Sequence, residues 1–186
     1  MNPSIPTHGK YEWLPILYDF IVTLKPKKII EFGPGRGYTT ITMAKALIEN
    51  NIDGHIYSYD IWDNEYWGGQ KLSQSEYKVW DVSDYITLTQ LDFYDWIKTD
   101  EDFDFLYFDI NNTGEKLKTL YQKVKNQIDG GAVVFFEGGS EVRDLHGSDG
   151  SNMNDIKEEI GYKVLTNNIK YSASAIYNNE LYNLEF

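Results

Sequence analysis

Residues Lys27–Thr40 read KKIIEFGPGRGYTT, and this stretch decides the fold of the chain. The short apolar run that ends at Glu31 and Phe32 is typical of a buried parallel strand. Glycines then follow at alternate positions: Gly33, Gly35 and Gly37. Helix-spaced apolar residues run from Tyr38 to Ile48. A strand, a glycine-rich turn and a helix start form a cradle in which free backbone N–H groups face a nucleotide-like ligand.

Two classes of cofactor use such a turn. A dinucleotide site has a third glycine in the pattern G-x-G-x-x-G, but Tyr38 stands at that position here, and Pro34 removes one backbone donor. The pattern instead resembles motif I of class I S-adenosylmethionine (SAM)-dependent methyltransferases, in the small-molecule O-methyltransferase branch. The resemblance implies that four residues bind the amino-acid half of SAM: Glu31, Gly33, Gly35 and Gly37. The alternative is a tight strand-to-helix turn without a ligand.

Composition limits the possible partners. The chain has 186 residues, enough for one domain with a full core, and a net charge of -12 from 29 acidic and 17 basic residues. This charge argues against nucleic acid and against an anionic membrane surface. The absence of cysteine excludes disulfides and zinc–thiolate sites. With no signal-peptide pattern and no apolar run of ~20 residues, a soluble cytoplasmic protein is expected, and a homo-oligomer is an open alternative to a monomer.

The order of the predicted elements indicates an α/β fold. Helical spacing over Tyr11–Leu24 precedes the first strand, and residues 1–26 form an N-terminal arm and helix within a single domain, 1–186. Residues 62–83, with a predicted helix at Ser73–Val82, are long enough for a lid or an acceptor-pocket segment, or for a surface excursion.

Five apolar stretches are predicted to form parallel strands: 29–32, His55–Tyr59, Tyr85–Leu91, Phe103–Phe108 and Ala132–Phe136. A helix is predicted at Glu115–Ile128 and a short one at Asp155–Glu159. Two further strands, Tyr162–Leu165 and Ala173–Tyr177, complete the sheet. As in the methyltransferases that the chain resembles, we expect a doubly wound, mostly parallel seven-stranded sheet with an antiparallel C-terminal hairpin and helices on both faces.

Acidic residues follow the second and third predicted strands. Asp60 lies where a carboxylate can accept hydrogen bonds from the ribose hydroxyls of a nucleoside bound at the first turn, and Ile61 can lie against the adenine. The resemblance implies that Asp92 binds the adenine amino group and that Phe93 packs on the ring. A helix cap or a turn is the alternative role for both acids, and Asp92 can cap a helix that begins near Tyr94.

Two further acids follow the fourth and fifth strands. The resemblance places Asp109 beside the transferred methyl group. Metal-dependent O-methyltransferases also have two carboxylates here, matched by Asp109 and Glu137, but Gly138 stands where a second acid or Asn would help. Magnesium is therefore possible but not favoured, and the metal ligands stay unassigned. The alternative for Glu137 is a cap or an ion pair with Arg143.

Methyl transfer to a hydroxyl oxygen of a small-molecule acceptor is the predicted function, and it needs a base. The candidates are Asp109, His8 in the N-terminal arm and His146, which we expect in a loop after the fifth strand on the ligand side. A non-catalytic SAM-fold binding or assembly module and, less favoured, an NAD-linked oxidoreductase remain alternatives.

Overall fold

The apolar stretches form seven strands in the computed structural model, which describes residues 12–62, 77–78, 80–146, 152–169 and 171–182. The strands are β1 (Lys28–Phe32), β2 (His55–Asp60), β3 (Ile86–Gln90), β4 (Phe105–Phe108), β5 (Val133–Glu137), β6 (Lys163–Thr166) and β7 (Ala173–Ile176). They pair in the order β3-β2-β1-β4-β5-β7-β6. The first five strands are parallel, whereas β7 is antiparallel to both β5 and β6. The predicted fold class is confirmed.

The central strands are buried on both faces, and this explains their nearly continuous apolar sequences. In β1, Ile29 joins the hydrophobic cluster on one face and Ile30 joins the cluster on the other. In β4, Phe105 and Leu106 divide in the same way, because successive side chains of a strand point to opposite faces.

Helices supply the cover for both faces. They are α1 (Leu14–Leu24), α2 (Tyr38–Glu49), α3 (Phe93–Trp96), α4 (Gly114–Asp129), α5 (Glu141–His146) and α6 (Lys157–Ile160), with 3₁₀ turns at Ser83–Tyr85 and Asn154–Ile156. Buried side chains of α1 and α2 belong to one cluster, and the buried stripe of α4 belongs to the other. The sheet is therefore covered on two sides, as expected from its sequence. No helix within the described part of the chain is long and apolar enough to cross a membrane.

Local signals set the ends of these helices. Pro15 lies in the first turn of α1, where its missing N–H costs no hydrogen bond, and α1 ends at Lys25 in a left-handed conformation (φ 49°). Thr113 caps α4, because its hydroxyl accepts a hydrogen bond from the N–H of Lys116 at 3.3 Å.

The structure corrects the sequence interpretation in two segments. His146 does not lie in a loop: it is the last residue of α5, a helix that begins right after Ser140. The predicted helix at 73–82 stops earlier, since Tyr77 and Lys78 are helical but Trp80 and Asp81 form a turn. Most of the predicted lid (62–83) and the N-terminal arm before residue 12 lie outside the described residues.

Candidate functional site

The ends of three neighbouring strands meet at the carboxyl edge of the sheet. Phe32, the last residue of β1, pairs with Tyr59 of β2 and with Phe108 of β4. The residues that follow these partners, Asp60 and Asp109, therefore flank the turn that leaves β1 at the same level. The sequence shows only the order of these residues along the chain, whereas the strand register shows that they lie together at one edge.

The turn after β1 has the backbone conformation that its glycines predict. Gly33, Gly35 and Gly37 have φ angles of 77°, 49° and 75°, all in the left-handed region. A Cβ atom on Gly33 would lie 1.8 Å from the carbonyl oxygen of Asp109, so only glycine allows β1 and β4 to end this close together. A Cβ atom on Gly35 would meet no atom within 4 Å, so this part of the turn faces open space.

A small cavity of about 50 Å³ lies against this turn. Its lining residues come from the turn, the first turn of α2 and the end of β4: Gly33, Pro34, Gly35, Arg36, Tyr38, Thr39, Tyr107 and Asp109. A larger, open groove of about 530 Å³ lies at the ends of α4 and β7, but none of the predicted site residues line it. The small cavity is therefore taken as part of the candidate site, because three predicted site residues line it: Gly33, Gly35 and Asp109.

Glu31 is fully buried within what we call the Glu31 cluster: Glu31, Thr39, Thr40 and Ser58. Its carboxylate accepts hydrogen bonds from the hydroxyls of Thr39 (2.6 Å), Thr40 (2.7 Å) and Ser58 (2.5 Å). Burial raises the pKa of Glu31, and the three hydroxyl donors oppose that rise. Because these partners belong to α2 and β2, the carboxylate fastens both elements to β1 on either side of the glycine turn.

Asp60 is the last residue of β2 at the carboxyl edge of the sheet, and Ile61 follows it. The Asp60 carboxylate accepts a hydrogen bond from the N–H of Trp62 at 3.2 Å, so this acid also stabilises the turn after β2. Ile61 is 42% exposed, which is high for an isoleucine at the end of a buried strand. Both placements agree with a surface that a ligand could cover.

Asp92 and Phe93 take structural positions after β3. Asp92 is the N-cap of α3, and its side chain accepts a hydrogen bond from the N–H of Tyr94 at 2.7 Å, which confirms the predicted cap. Phe93 is buried, with its ring centroid 5.8 Å from that of Phe32 and 5.1 Å from that of Phe108. Their roles toward a nucleoside stay predictions.

Buried Glu137 and the half-buried residues Asp109 and Arg143 form a second group, the Glu137 cluster. The guanidinium of Arg143 lies 2.8 Å from Glu137 Oε1, and the hydroxyl of Tyr107 donates to Asp109 at 3.3 Å. The side chains of Asp109 and Glu137 are close enough for each to perturb the pKa of the other. Two carboxyl groups this close are costly to charge together, and the neighbouring Arg143 cation offsets part of that cost.

The electrostatics of the Glu137 cluster follow from this crowding. Burial raises the pKa of Glu137 to about 9, and the charge of Asp109 adds to the rise while Arg143 opposes it. Burial also raises the pKa of Asp109, and the hydrogen bond with Glu137 and the charge of Arg143 oppose that rise. Perturbed acids beside a cavity are typical of functional sites.

Several residues around the Glu137 cluster were not predicted by sequence reasoning. The amide of Asn112 donates to the carbonyl oxygens of Phe108 (3.0 Å) and Glu137 (2.8 Å), joining the ends of β4 and β5. Gly138 has a φ angle of 107°, so an acid at this position would be strained. No group of three or more His, Cys, Asp or Glu side chains in the described ranges could hold a metal ion.

The roles of the two candidate histidines stay predictions. His146 ends α5, and His8 precedes the first described residue. The hydroxyls of the Glu31 cluster were missed as well, although the pair Thr39-Thr40 directly after the turn was a usable signal. Side chains at those positions of the first helical turn face back toward the end of β1.

A family model described as a methyltransferase domain matches residues 30–137 of this chain. The matched range begins within β1 and ends with Glu137, so it contains the glycine turn, the Glu31 cluster and both acids of the Glu137 cluster. No curated protein sequence matches the chain.

Solved structures with the same fold cover most of the chain at low sequence identity. A Klebsiella pneumoniae protein described as a candidate O-methyltransferase is 17% identical, with a TM-score of 0.68, and the match covers 95% of this chain and 83% of that one. TomG from Streptomyces achromogenes, an O-methyltransferase in complex with SAM, is 18% identical over 91% and 81% of the two chains (TM-score 0.66). An O-methyltransferase of Bacillus cereus in complex with SAH is 15% identical over 95% and 84% (TM-score 0.63).

Proposed function

This chain belongs to the methyltransferase-domain family, and we propose that it transfers the methyl group of SAM to a hydroxyl oxygen of a small molecule. The observation that carries the proposal is the convergence of the glycine turn, Asp60 and Asp109 at one edge of the sheet. Ligands of open α/β sheets bind outside the carboxyl ends of the strands. The SAM and SAH present in similar O-methyltransferase structures support the choice of cofactor.

The residues at this edge suit the parts of such a nucleoside. The turn residues Gly33–Gly37 are followed by the start of α2, and backbone N–H groups there favour the carboxylate of the amino-acid tail. Asp60 accepts hydrogen bonds from the ribose hydroxyls, and Ile61 covers the adenine. Asp92 serves the adenine amino group from its cap position. The cavity at the turn holds one end of the ligand, and the exposed ends of β2 and β3 extend the site.

SAM, when bound, supplies an electrophilic methyl group, and the side chains of this protein hold and orient the acceptor beside it. Holding two reactants at near-attack distance contributes roughly 7–11 kcal/mol toward the barrier in well-oriented systems. Asp109 lines the cavity and is our candidate base for the hydroxyl proton, because burial raises its pKa. His146 and His8 remain candidates for the same role.

The acceptor is a small molecule in this proposal. The net charge of -12 disfavours a polyanion such as nucleic acid, which needs basic residues to neutralise its phosphates. Segment 62–83 begins two residues after Asp60, and we propose that it covers the acceptor as a lid. The same charge supports a protein that binds neither nucleic acid nor an anionic membrane.

The cofactor assignment is tested by calorimetry with S-adenosylhomocysteine. Wild type should bind, and Asp60→Ala should bind about 10- to 100-fold more weakly, because two hydrogen bonds to a charged acceptor are lost. Asp53→Ala, the same change in an exposed residue before β2, is the matched control and should bind like wild type. Absence of binding by wild type, or unchanged binding by Asp60→Ala, would contradict the proposal.

The reaction itself needs a turnover screen. Phenols, sugars and carboxylic acids are offered with labelled SAM, and transfer of label to a hydroxyl-bearing acceptor is expected. If the chain binds S-adenosylhomocysteine but transfers label to no acceptor, a binding or assembly module becomes the better assignment.

A further inference from the structure

Arg143 lies against the pair of carboxylates that the resemblance marks as candidate metal ligands. Its Nη1 atom is 2.8 Å from Glu137 Oε1, and the two side chains are only 19% and 9% exposed. The positive charge of the same guanidinium also opposes the rise in the pKa of the neighbouring Asp109. A cation is therefore already present where the two acids meet.

The backbone around Arg143 fixes this placement. The hydroxyl of Ser140, which is buried, accepts a hydrogen bond from the N–H of Arg143 at 3.2 Å, and the carbonyl oxygen of Ser140 accepts one from the N–H of Asp144 at 3.1 Å. The carboxylate of Asp144 in turn accepts a hydrogen bond from the N–H of Asn154 at 2.6 Å. Helix α5 is thus capped at its start and tied to the next segment, so Arg143 is held over Glu137.

The remaining ligand positions around the pair are closed. The Asn112 amide uses its two donors on carbonyl oxygens, and its Oδ1 atom accepts a hydrogen bond from the N–H of Ile110 at 3.1 Å. A side chain at Gly138 would meet the sulfur of Met153 at 2.8 Å, in a backbone conformation that side chains rarely adopt. Magnesium needs near-octahedral oxygen ligands, and a guanidinium at 2.8 Å from one of two carboxylates repels it. While Arg143 is in place, the two acids therefore do not fit a divalent ion.

We propose that Arg143 takes the place of the divalent cation in a two-carboxylate O-methyltransferase site, so that this chain works without a metal ion. The inference rests on the proposed function, because it concerns the acceptor side of the same site. Arginine stays charged at all working pH values and offers a rigid fork of N–H donors. One of these donors contacts Glu137. Among the described residues outside the Glu137 cluster, the other guanidinium N–H groups have no hydrogen-bond partner. These donors are available to an acceptor oxygen, and proton removal is left to a side-chain base.

The test uses Mn²⁺ as the probe on the full chain without cofactor. The free-ion signal in electron paramagnetic resonance reports how much Mn²⁺ each variant takes up, and Glu137→Gln identifies uptake that depends on this cluster. Wild type and Arg143→Lys should show no Glu137-dependent uptake. Arg143→Ala should bind about one ion per chain, since it leaves two carboxylates without their cation, and Arg143→Ala/Glu137→Gln should lose it again.

Two results would overturn the proposal. Glu137-dependent uptake by wild type would mean that the guanidinium does not replace a metal. Failure of Arg143→Ala to take up the ion would mean that the carboxylates form no cation site; Arg143→Gln, which keeps most of the side chain, is measured as well in case Arg143→Ala does not fold. Binding of S-adenosylhomocysteine is a separate measurement, so its failure would remove the proposed function without deciding the Mn²⁺ result.

Discussion

Glu31 and Glu137 are two buried glutamates near the ends of parallel strands, with exposed fractions of 0% and 8%, yet they are stabilised in different ways. Glu31 is surrounded by hydroxyl donors, whereas Glu137 contacts a guanidinium and a second carboxyl group. Burying a carboxyl group is costly unless its oxygens are paired, and both clusters meet that need. Neutral donors surround Glu31, which joins neighbouring backbone elements, whereas charged partners surround Glu137 in the proposed acceptor site.

The position of each cluster fits this difference. The Glu31 cluster joins β1, β2 and the first turn of α2, and so it fastens the elements on either side of the glycine turn. The Glu137 cluster joins β4, β5 and α5, and its member Asp109 lines the cavity. The first cluster is therefore expected to govern stability, and the second to respond to the acceptor.

The largest effect is expected from Glu31→Ala. This change leaves three buried hydroxyls without their acceptor and opens a cavity, so the free energy of unfolding should fall by about 3 kcal/mol. Urea unfolding followed by circular dichroism measures the loss. Glu31→Gln keeps the size of the side chain and one carbonyl acceptor, and should lose less. Equal stability of Glu31→Ala and wild type would contradict the stabilising role of the Glu31 cluster.

The pH dependence of stability should contain a contribution from Glu137. Its pKa is about 9 in the folded protein against an ordinary value of 4.5, so the folded state keeps a proton that the unfolded state releases between these values. The stability that this proton provides is complete below the unfolded value and is lost as the pH rises toward the folded one. Between these two pKa values, the free energy of unfolding should therefore decrease by at most about 1.4 kcal/mol per pH unit because of this one proton.

Glu137→Gln removes this titration and should flatten that part of the profile. Urea unfolding of wild type and variant at intervals between about pH 5 and about pH 9 measures the slope. If the two slopes are equal, Glu137 titrates as an ordinary exposed glutamate, and the contrast with Glu31 would have to be abandoned.

The smallest effect is expected from Thr39→Val. This substitution keeps the shape of the side chain and removes one of the three donors to Glu31, so the free energy of unfolding should fall by about 1 kcal/mol. Thr89→Val, at an exposed position of the edge strand β3, makes the same side-chain change away from Glu31 and serves as the control. A loss as large as that of Glu31→Ala would show that the donors act as one unit, which would sharpen the comparison.

Much of the fold could be predicted because its signals are local. The apolar runs gave the strands within one or two residues, and the glycines at alternate positions gave the turn after β1. The acids at the ends of β2 and β4 were predictable for a related reason, since parallel strands end at a common edge. The helix at 141–146 was missed because its six residues show no apolar period, and its cap depends on the hydroxyl of Ser140.

The sequence by itself determined the order of the elements, the glycine turn and the family, because these depend on periodic apolar patterns and on backbone conformations that only glycine adopts readily. Only the tertiary structure decided that Glu31 is enclosed by Thr39, Thr40 and Ser58, and that Arg143 contacts Glu137. The partner of a buried carboxyl group depends on which distant segments the sheet brings to it. The same packing removes water from that group, and so it also determines its pKa and its chemistry.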